Sequence, residues 1–225
     1  MRQLVRLLFV AMMASMASTA AWAGPPMAFK ESWMLMTEAS EQSKDLMFNY
    51  AFTGTDSLGV GYHNWKTEDL AHKVEHSGVN YTRRLARWNT PDSQANLWLM
   101  VDAGNTKVPT AFAGINAGSR TGVMPSVQFD WETTRLYFLL GASTLRGSGG
   151  LQVDNYKTQV GFSFFEAQFD EWQPWLVLEG KRMTKLMDKT EVTPFLRVIH
   201  KSLYLEVGAN TDGKPRVGLM KVFYF

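Results

Sequence analysis

The chain has 225 residues, with 23 Lys and Arg against 21 Asp and Glu, 14 Phe, 8 Trp, 7 Tyr and no cysteine. The missing cysteine excludes disulfides, thiolate metal sites and a lipid anchor on a cleavage-site cysteine. The near balance of charge gives no electrostatic case for nucleic acid, and the length suits one domain.

Arg2 and Arg6 precede an apolar run from Leu7 through Met13, and Ala21-Trp22-Ala23 follows with a small-x-small pattern. Charge, apolar run and cleavage site in that order are the marks of an export signal. Residues 1–23 therefore read as a signal peptide and residues 24–225 as the mature domain. Removing two arginines and no acid leaves 23 − 2 = 21 bases against 21 acids. The apolar run falls short of the about 20 residues that a membrane helix needs, and no later run reaches that length. Any membrane crossing must then be made by strands that close on themselves, because lipid satisfies no backbone group.

From Trp33 onward the chain reads as short alternating strands between turns. Trp33–Glu38 is the first, before a polar turn at Ser40–Lys44. Leu46, Phe48, Tyr50 and Phe52 alternate with Met47, Asn49, Ala51 and Thr53, and a tight turn follows at Gly54–Ser57. Leu58, Val60 and Tyr62 carry a third strand. Lys66–Gly78 is charged and reads as a loop. Val79, Tyr81 and Leu85 resume, although Arg83 and Arg87 break the register, and Asn89–Ser93 turns around Pro91. Cleaner alternation then runs through Leu97–Val101, Ala111–Ala117, Val127–Trp131, Leu136–Leu140, Tyr156–Phe164, Leu176–Leu178, Leu196–Val198 and Leu203–Ala209. A hairpin turn at Thr211–Lys214 leads into Pro215–Phe225. The tally is twelve or thirteen strands. Twelve is the expected number and ten the alternative, with the surplus candidate placed among the first four.

In that last stretch, PRVGLMKVFYF, Val217, Leu219, Phe223 and Phe225 share one face of a strand. The ending resembles the closing strand of bacterial outer-membrane β-barrels, which finish on a Phe with apolar residues at alternate positions before it. Lys221 departs from the pattern, standing where a hydrophobe is usual. The resemblance implies an all-β fold: a single closed antiparallel transmembrane β-barrel in the outer membrane, surrounded by lipid. It also implies periplasmic chaperones and barrel-assembly machinery as partners, with Leu219, Phe223 and Phe225 as the assembly signal. Alternation alone equally suits a periplasmic β-sandwich or a lipocalin-like barrel. Trp65, Trp88, Trp131, Trp172 and Trp175 lie near predicted turns, where an interfacial aromatic girdle belongs.

In a membrane barrel the polar face points inward. It would carry Arg84, Lys157, Arg197 and Arg216 with Asp102, Asp130, Glu179 and Glu206. The signs balance, so these charges are expected to pair across a filled or narrow lumen rather than form a ring of one sign. The leading expectation is a non-catalytic structural barrel or narrow channel. Two other constellations carry chemistry. His200-Lys201-Ser202 sets His and Ser two apart, on one strand face, as a base and nucleophile. It is similar to the His-x-Ser element of outer-membrane phospholipases and lipid A deacylases, which implies a lipid acyl hydrolase; those families follow Ser with Asn, where Leu203 stands here. His63, His72 and His76 could form a surface metal site if His72–His76 made a helical turn. No phosphate-binding loop or other cofactor motif is present.

Overall fold

The computed structural model describes residues 27, 29–168 and 170–224; the candidate signal peptide and Phe225 lie outside the described residues. Twelve strands follow one another: β1 (Ser32–Ser40), β2 (Ser43–Ala51), β3 (Asp56–Lys66), β4 (Lys73–Asn89), β5 (Ser93–Val108), β6 (Gly118–Thr133), β7 (Leu136–Gly147), β8 (Gln152–Ser163), β9 (Gln173–Met183), β10 (Glu191–His200), β11 (Leu203–Ala209) and β12 (Pro215–Phe223). Each pairs with the next, and β1 closes the barrel against β12 in antiparallel register from Trp33↔Phe223 to Ser40↔Arg216. Closure removes the open edges that an isolated sheet would present.

The surplus candidate strand is not among the first four, all of which form. It is Ala111–Ala117, which lies in the loop between β5 and β6 with a single bridge, Phe112↔Ile115. Ala113 and Gly114 there have φ of 46° and 76°, and left-handed backbone turns a chain instead of extending it. The loop read over Lys66–Gly78 shrinks to residues 67–72, between β3 and β4. The helical turn considered at His72–His76 is absent, because Lys73 onward is strand β4.

Alternation sorts the side chains by face. Leu58 and Val60 of β3, Val123 and Val127 of β6, Leu176 and Leu178 of β9, and Val207 and Val217 stand outward and exposed. Their alternates are buried inside: Asp102, Asp130, Glu179, Arg197, Glu206 and Arg216. A sandwich would show the reverse. Trp88 and Trp172 are exposed on the outer surface, but Trp65 and Trp175 are only 4% and 1% exposed. They share the inward register of His63 and Val177, so these two do not belong to an outer girdle.

Among the described residues two large apolar clusters cross the interior, and Met27, Ala51 and Trp98 form a small third. At the end where β1 begins and β12 finishes, Met34, Tyr137, Leu139, Trp175, Ile199 and Val222 pack together. At the far end Trp65, Val74, Val108, Leu145, Val153 and Met183 meet Ile115, Leu151 and Leu186 from the far-end loops. Burying that apolar surface at about 25 cal/mol per Å² draws the loops inward. Lys157, Glu179 and Lys181 lie between the two clusters, whereas Arg197 is set among the rings of the first.

Five glycines form a row across the inner wall. Gly61↔Gly78, Gly78↔Gly104, Gly104↔Gly122 and Gly122↔Gly147 are successive register partners from β3 to β7. A Cβ on Gly104 would overlap the Ser77 carbonyl oxygen, and one on Gly78 would meet the Asp102 carboxylate and, at 2.5 Å, the Ala103 carbonyl oxygen. Glycine there permits the close approach of neighbouring backbones that a sharply curved barrel wall requires.

Candidate functional site

The strand register brings distant charges into one lumen. Glu38 of β1 faces across the interior to β8 and β9. Its carboxylate meets Lys157 Nζ at 3.1 Å, Lys181 Nζ at 3.5 Å and the Arg216 guanidinium. Lys157 also reaches Glu179 at 3.1 Å, and Arg216 reaches Glu179 at 2.6 Å and Glu191 at 2.9 Å. Gln159 extends the network by donating to Glu179 at 2.6 Å and accepting from Arg197 at 2.9 Å. Arg197 pairs with Glu206 at 3.1 Å and lies between the rings of Tyr137 and Tyr204, whose hydroxyl donates to Glu206 at 2.5 Å. Four carboxylates (Glu38, Glu179, Glu191, Glu206) thus meet four cations (Lys157, Lys181, Arg197, Arg216). With every charge facing an opposite one, the network offsets the cost of an isolated buried charge, although Arg197 Nη1 and Arg216 Nε are buried without a hydrogen-bond partner.

Of the eight luminal residues expected from sequence, Lys157, Glu179, Arg197, Glu206 and Arg216 share this network. The other three lie elsewhere on the inner wall. Arg84 sits over the Trp98 ring at 5.8 Å, and Asp130 accepts from Trp98 Nε1 at 2.5 Å and Asn96 Nδ2 at 2.6 Å. Asp102 belongs to a second buried chain that runs along the glycine row. Asp45 accepts from His63 Nδ1 at 2.7 Å and from Trp65 Nε1 at 2.8 Å. Asp102 accepts from His76 Nε2 at 2.8 Å, and its other oxygen stands 3.9 Å from His63 Nε2. His76 Nδ1 completes the chain with Thr106 Oγ1 at 2.7 Å. The missing Cβ atoms of Gly61 and Gly78 leave the space in which the Asp102 carboxylate lies.

Sequence reasoning missed Glu38, Lys181, Glu191 and Asp45. Glu38 had a readable signal, since it shares the register of Met34 and Met36. What alternation could not give was the partner 119 residues away, Lys157.

The metal trio does not assemble. His63 and His76 face each other on paired strands with ring centroids 6.1 Å apart. His72 lies in the 67–72 loop, stacked on Phe112 and 3.2 Å from Thr110 Oγ1. That loop is closed by Thr67, whose hydroxyl donates to Asp69 and holds its carboxyl below the ordinary range. No group of three or more His, Asp or Glu is set for a metal ion among the described residues. The base–nucleophile pair is not hydrogen-bonded to itself either. His200 ends β10 and stacks on Trp172 at 4.4 Å, whereas Ser202 lies in the two-residue turn and accepts from Lys221 Nζ at 2.8 Å. No hydrogen bond joins the two among the described residues: the His200 ring is taken up by Trp172 and the Ser202 hydroxyl by Lys221. Ser202→Ala is expected to leave release of labelled fatty acid from phospholipid at the wild-type level, which a fluorogenic phospholipid assay checks.

Between the two apolar clusters lies a cavity of about 240 Å³. Its wall includes Glu38, Asp45, His63, Lys157, Lys181 and Glu206, together with Met36, Met47, Met100, Met124 and Met220. Among the described residues, the seven methionines in strands (those five, Met34 and Met183) all occupy inward positions.

Solved structures similar to this chain are outer-membrane β-barrels. A KdgM porin is 11% identical over 86% of this chain and 99% of that chain, with a TM-score of 0.47. A KdgM porin in complex with disordered oligogalacturonate is 12% identical over 86% and 99%, with a TM-score of 0.48. A loop L8 deletion mutant of OmpT, an outer membrane protein of Vibrio cholerae, is 10% identical over 86% and 98%, with a TM-score of 0.34. At these identities the likeness is one of fold. No family model and no curated protein matches the chain.

Proposed function

We propose that this protein is a non-catalytic outer-membrane barrel with a constricted lumen, serving as a narrow channel or as a structural element of the envelope. The observation that carries this reading is the inversion of its faces. Exposed Leu, Val, Phe and Tyr cover the outside, and charged residues are buried inside. Water cannot favour that outer surface, and a bilayer can. Two features support a constricted lumen over an open one. The four-by-four charge network ties β1 to β8 and β9 across the interior, and an apolar cluster packs towards each end. An open selective pore would more readily carry a ring of one sign.

Two measurements test the reading. The mature protein should fractionate with the outer membrane and migrate faster on a gel before boiling than after. In planar bilayers it should give conductance steps far below those of an open porin, or a flat trace. Recovery as a freely soluble periplasmic protein would overturn the membrane assignment. Large, steady open-porin steps would overturn the constricted lumen while leaving the barrel intact.

A further inference from the structure

We propose that the central cavity is a binding site for a soft monovalent cation of the Ag(I) or Cu(I) class, held by methionine thioethers. The inference does not depend on whether the barrel conducts. It starts from an asymmetry of placement. Among the described residues no strand methionine faces outward, where Leu, Val and Phe do the apolar work. Met36, Met47, Met100, Met124 and Met220 come from β1, β2, β5, β6 and β12, and all five line one cavity. Methionine used as filler occupies gaps. Met220 and Met124 also belong to the two apolar clusters and Met36 packs against the first, yet all five border one cavity of about 240 Å³.

The donor inventory decides the ligand class. The carboxylates on the wall are already engaged: Glu38 by three cations, Glu206 by Arg197 and Tyr204, and Asp45 by His63 and Trp65. His63 is engaged at Nδ1 by Asp45 and faces Asp102 through Nε2. A hard divalent ion would therefore have to break ion pairs to find oxygen ligands. The five thioethers make no hydrogen bond among the described residues, so only apolar packing has to yield, and soft uncharged sulfur favours Cu(I) and its congeners over hard ions such as calcium or magnesium. A bare ion is far smaller than the cavity, but a methionine side chain has three rotatable bonds, so several sulfurs can swing inward to close around it.

The test uses Ag(I), which needs no reductant, on the folded barrel in detergent and chloride-free buffer. Isothermal titration should show saturable binding of Ag(I) and none of Zn(II), and the ¹³C-labelled methionine methyl resonances of the cavity should shift together. The variant Met47→Leu/Met100→Leu/Met124→Leu nearly conserves side-chain volume and should keep the heat-modifiable migration. Its affinity for Ag(I) should fall at least tenfold. Absence of Ag(I) binding to the wild type would overturn the proposal, as would an unchanged affinity in the triple variant. So would Zn(II) binding as tight as Ag(I), which would point to imidazole and carboxylate ligands. Should the triple variant lose its heat-modifiable migration, Met36→Leu and Met220→Leu made singly give the same reading: each must weaken Ag(I) binding for the proposal to stand.

Discussion

Replacing Glu38 with Gln should be the most destabilising single charge change in the lumen. The substitution keeps the side-chain shape and removes one negative charge from among Lys157, Lys181 and Arg216. Lys157 and Arg216 retain Glu179, but Lys181 has no other carboxylate partner among the ion pairs of the described residues. Four cations then face three carboxylates on a wall where Lys181 and Arg216 are almost wholly buried. Removing one partner of a buried pair typically costs 3–5 kcal/mol, because the surviving charge stays desolvated. The loss should appear as a lower temperature for the shift from folded to unfolded gel migration, and as a lower urea midpoint in lipid vesicles. The double variant Glu38→Gln/Lys181→Met, which removes both members of the weakest-supported pair, should recover part of the loss. The energies of contacting residues are not additive, and coupling of about 0.5–3 kcal/mol is the usual range. Equal melting of Glu38→Gln and wild type would mean that the network is solvated and that its charges do little to close the lumen.

How far this could be read from sequence differs by element, and the differences have physical causes. Alternation of period two located the strands because each side of this barrel wall has one solvent, so Leu58, Val60 and Tyr62 announce the outer face against Gly59, Gly61 and His63. The same signal failed at Ala111–Ala117. Small residues alternate there by composition, while Ala113 and Gly114 turn the backbone through positive φ. It failed again for Trp65 and Trp175, since proximity to a turn does not say which face a side chain takes. The inward position of Arg197 or Glu206 is a local property and follows from its neighbours. The identity of its partners is a matter of barrel register. Glu38 meets Lys157 because β1 closes on β12 and the wall curls round to β8, and no short window of sequence contains that fact. The pairing of His63 with His76, in place of His72 with His76, turned on a choice between helix and strand for a charged stretch. Strand pairing won, because β3 and β4 continue their ladder to Lys66↔Lys73.

The glycine row was equally invisible in sequence, and it leads to the largest expected effect on folding. Gly104→Ala should prevent the barrel from reaching its heat-resistant form. Gly104 sits between Gly78 of β4 and Gly122 of β6, and a methyl group on it would overlap the Ser77 carbonyl oxygen and the Gly78 Cα. Both obstacles are backbone atoms of a paired strand, so no rotamer change relieves the overlap. The sheet must flatten there, and flattening is opposed by everything packed against the curve. The imidazole of His76 and the carboxylate of Asp102 lie on that part of the wall, joined at 2.8 Å. Forced overpacking costs about 1–3 kcal/mol where neighbours can yield, and more where they are main chain. By contrast Gly54 and Gly213, which lie in turns, have nothing within 4 Å of an added Cβ. Gly54→Ala, where φ is not positive, should therefore fold as the wild type does, and it controls for the general cost of replacing a glycine. Refolding into detergent followed by unboiled electrophoresis separates the two. Gly104→Ala should run entirely at the unfolded position and Gly54→Ala at the folded one. If both ran as folded barrels of equal heat resistance, the close approach of β4, β5 and β6 would not be what shapes this wall.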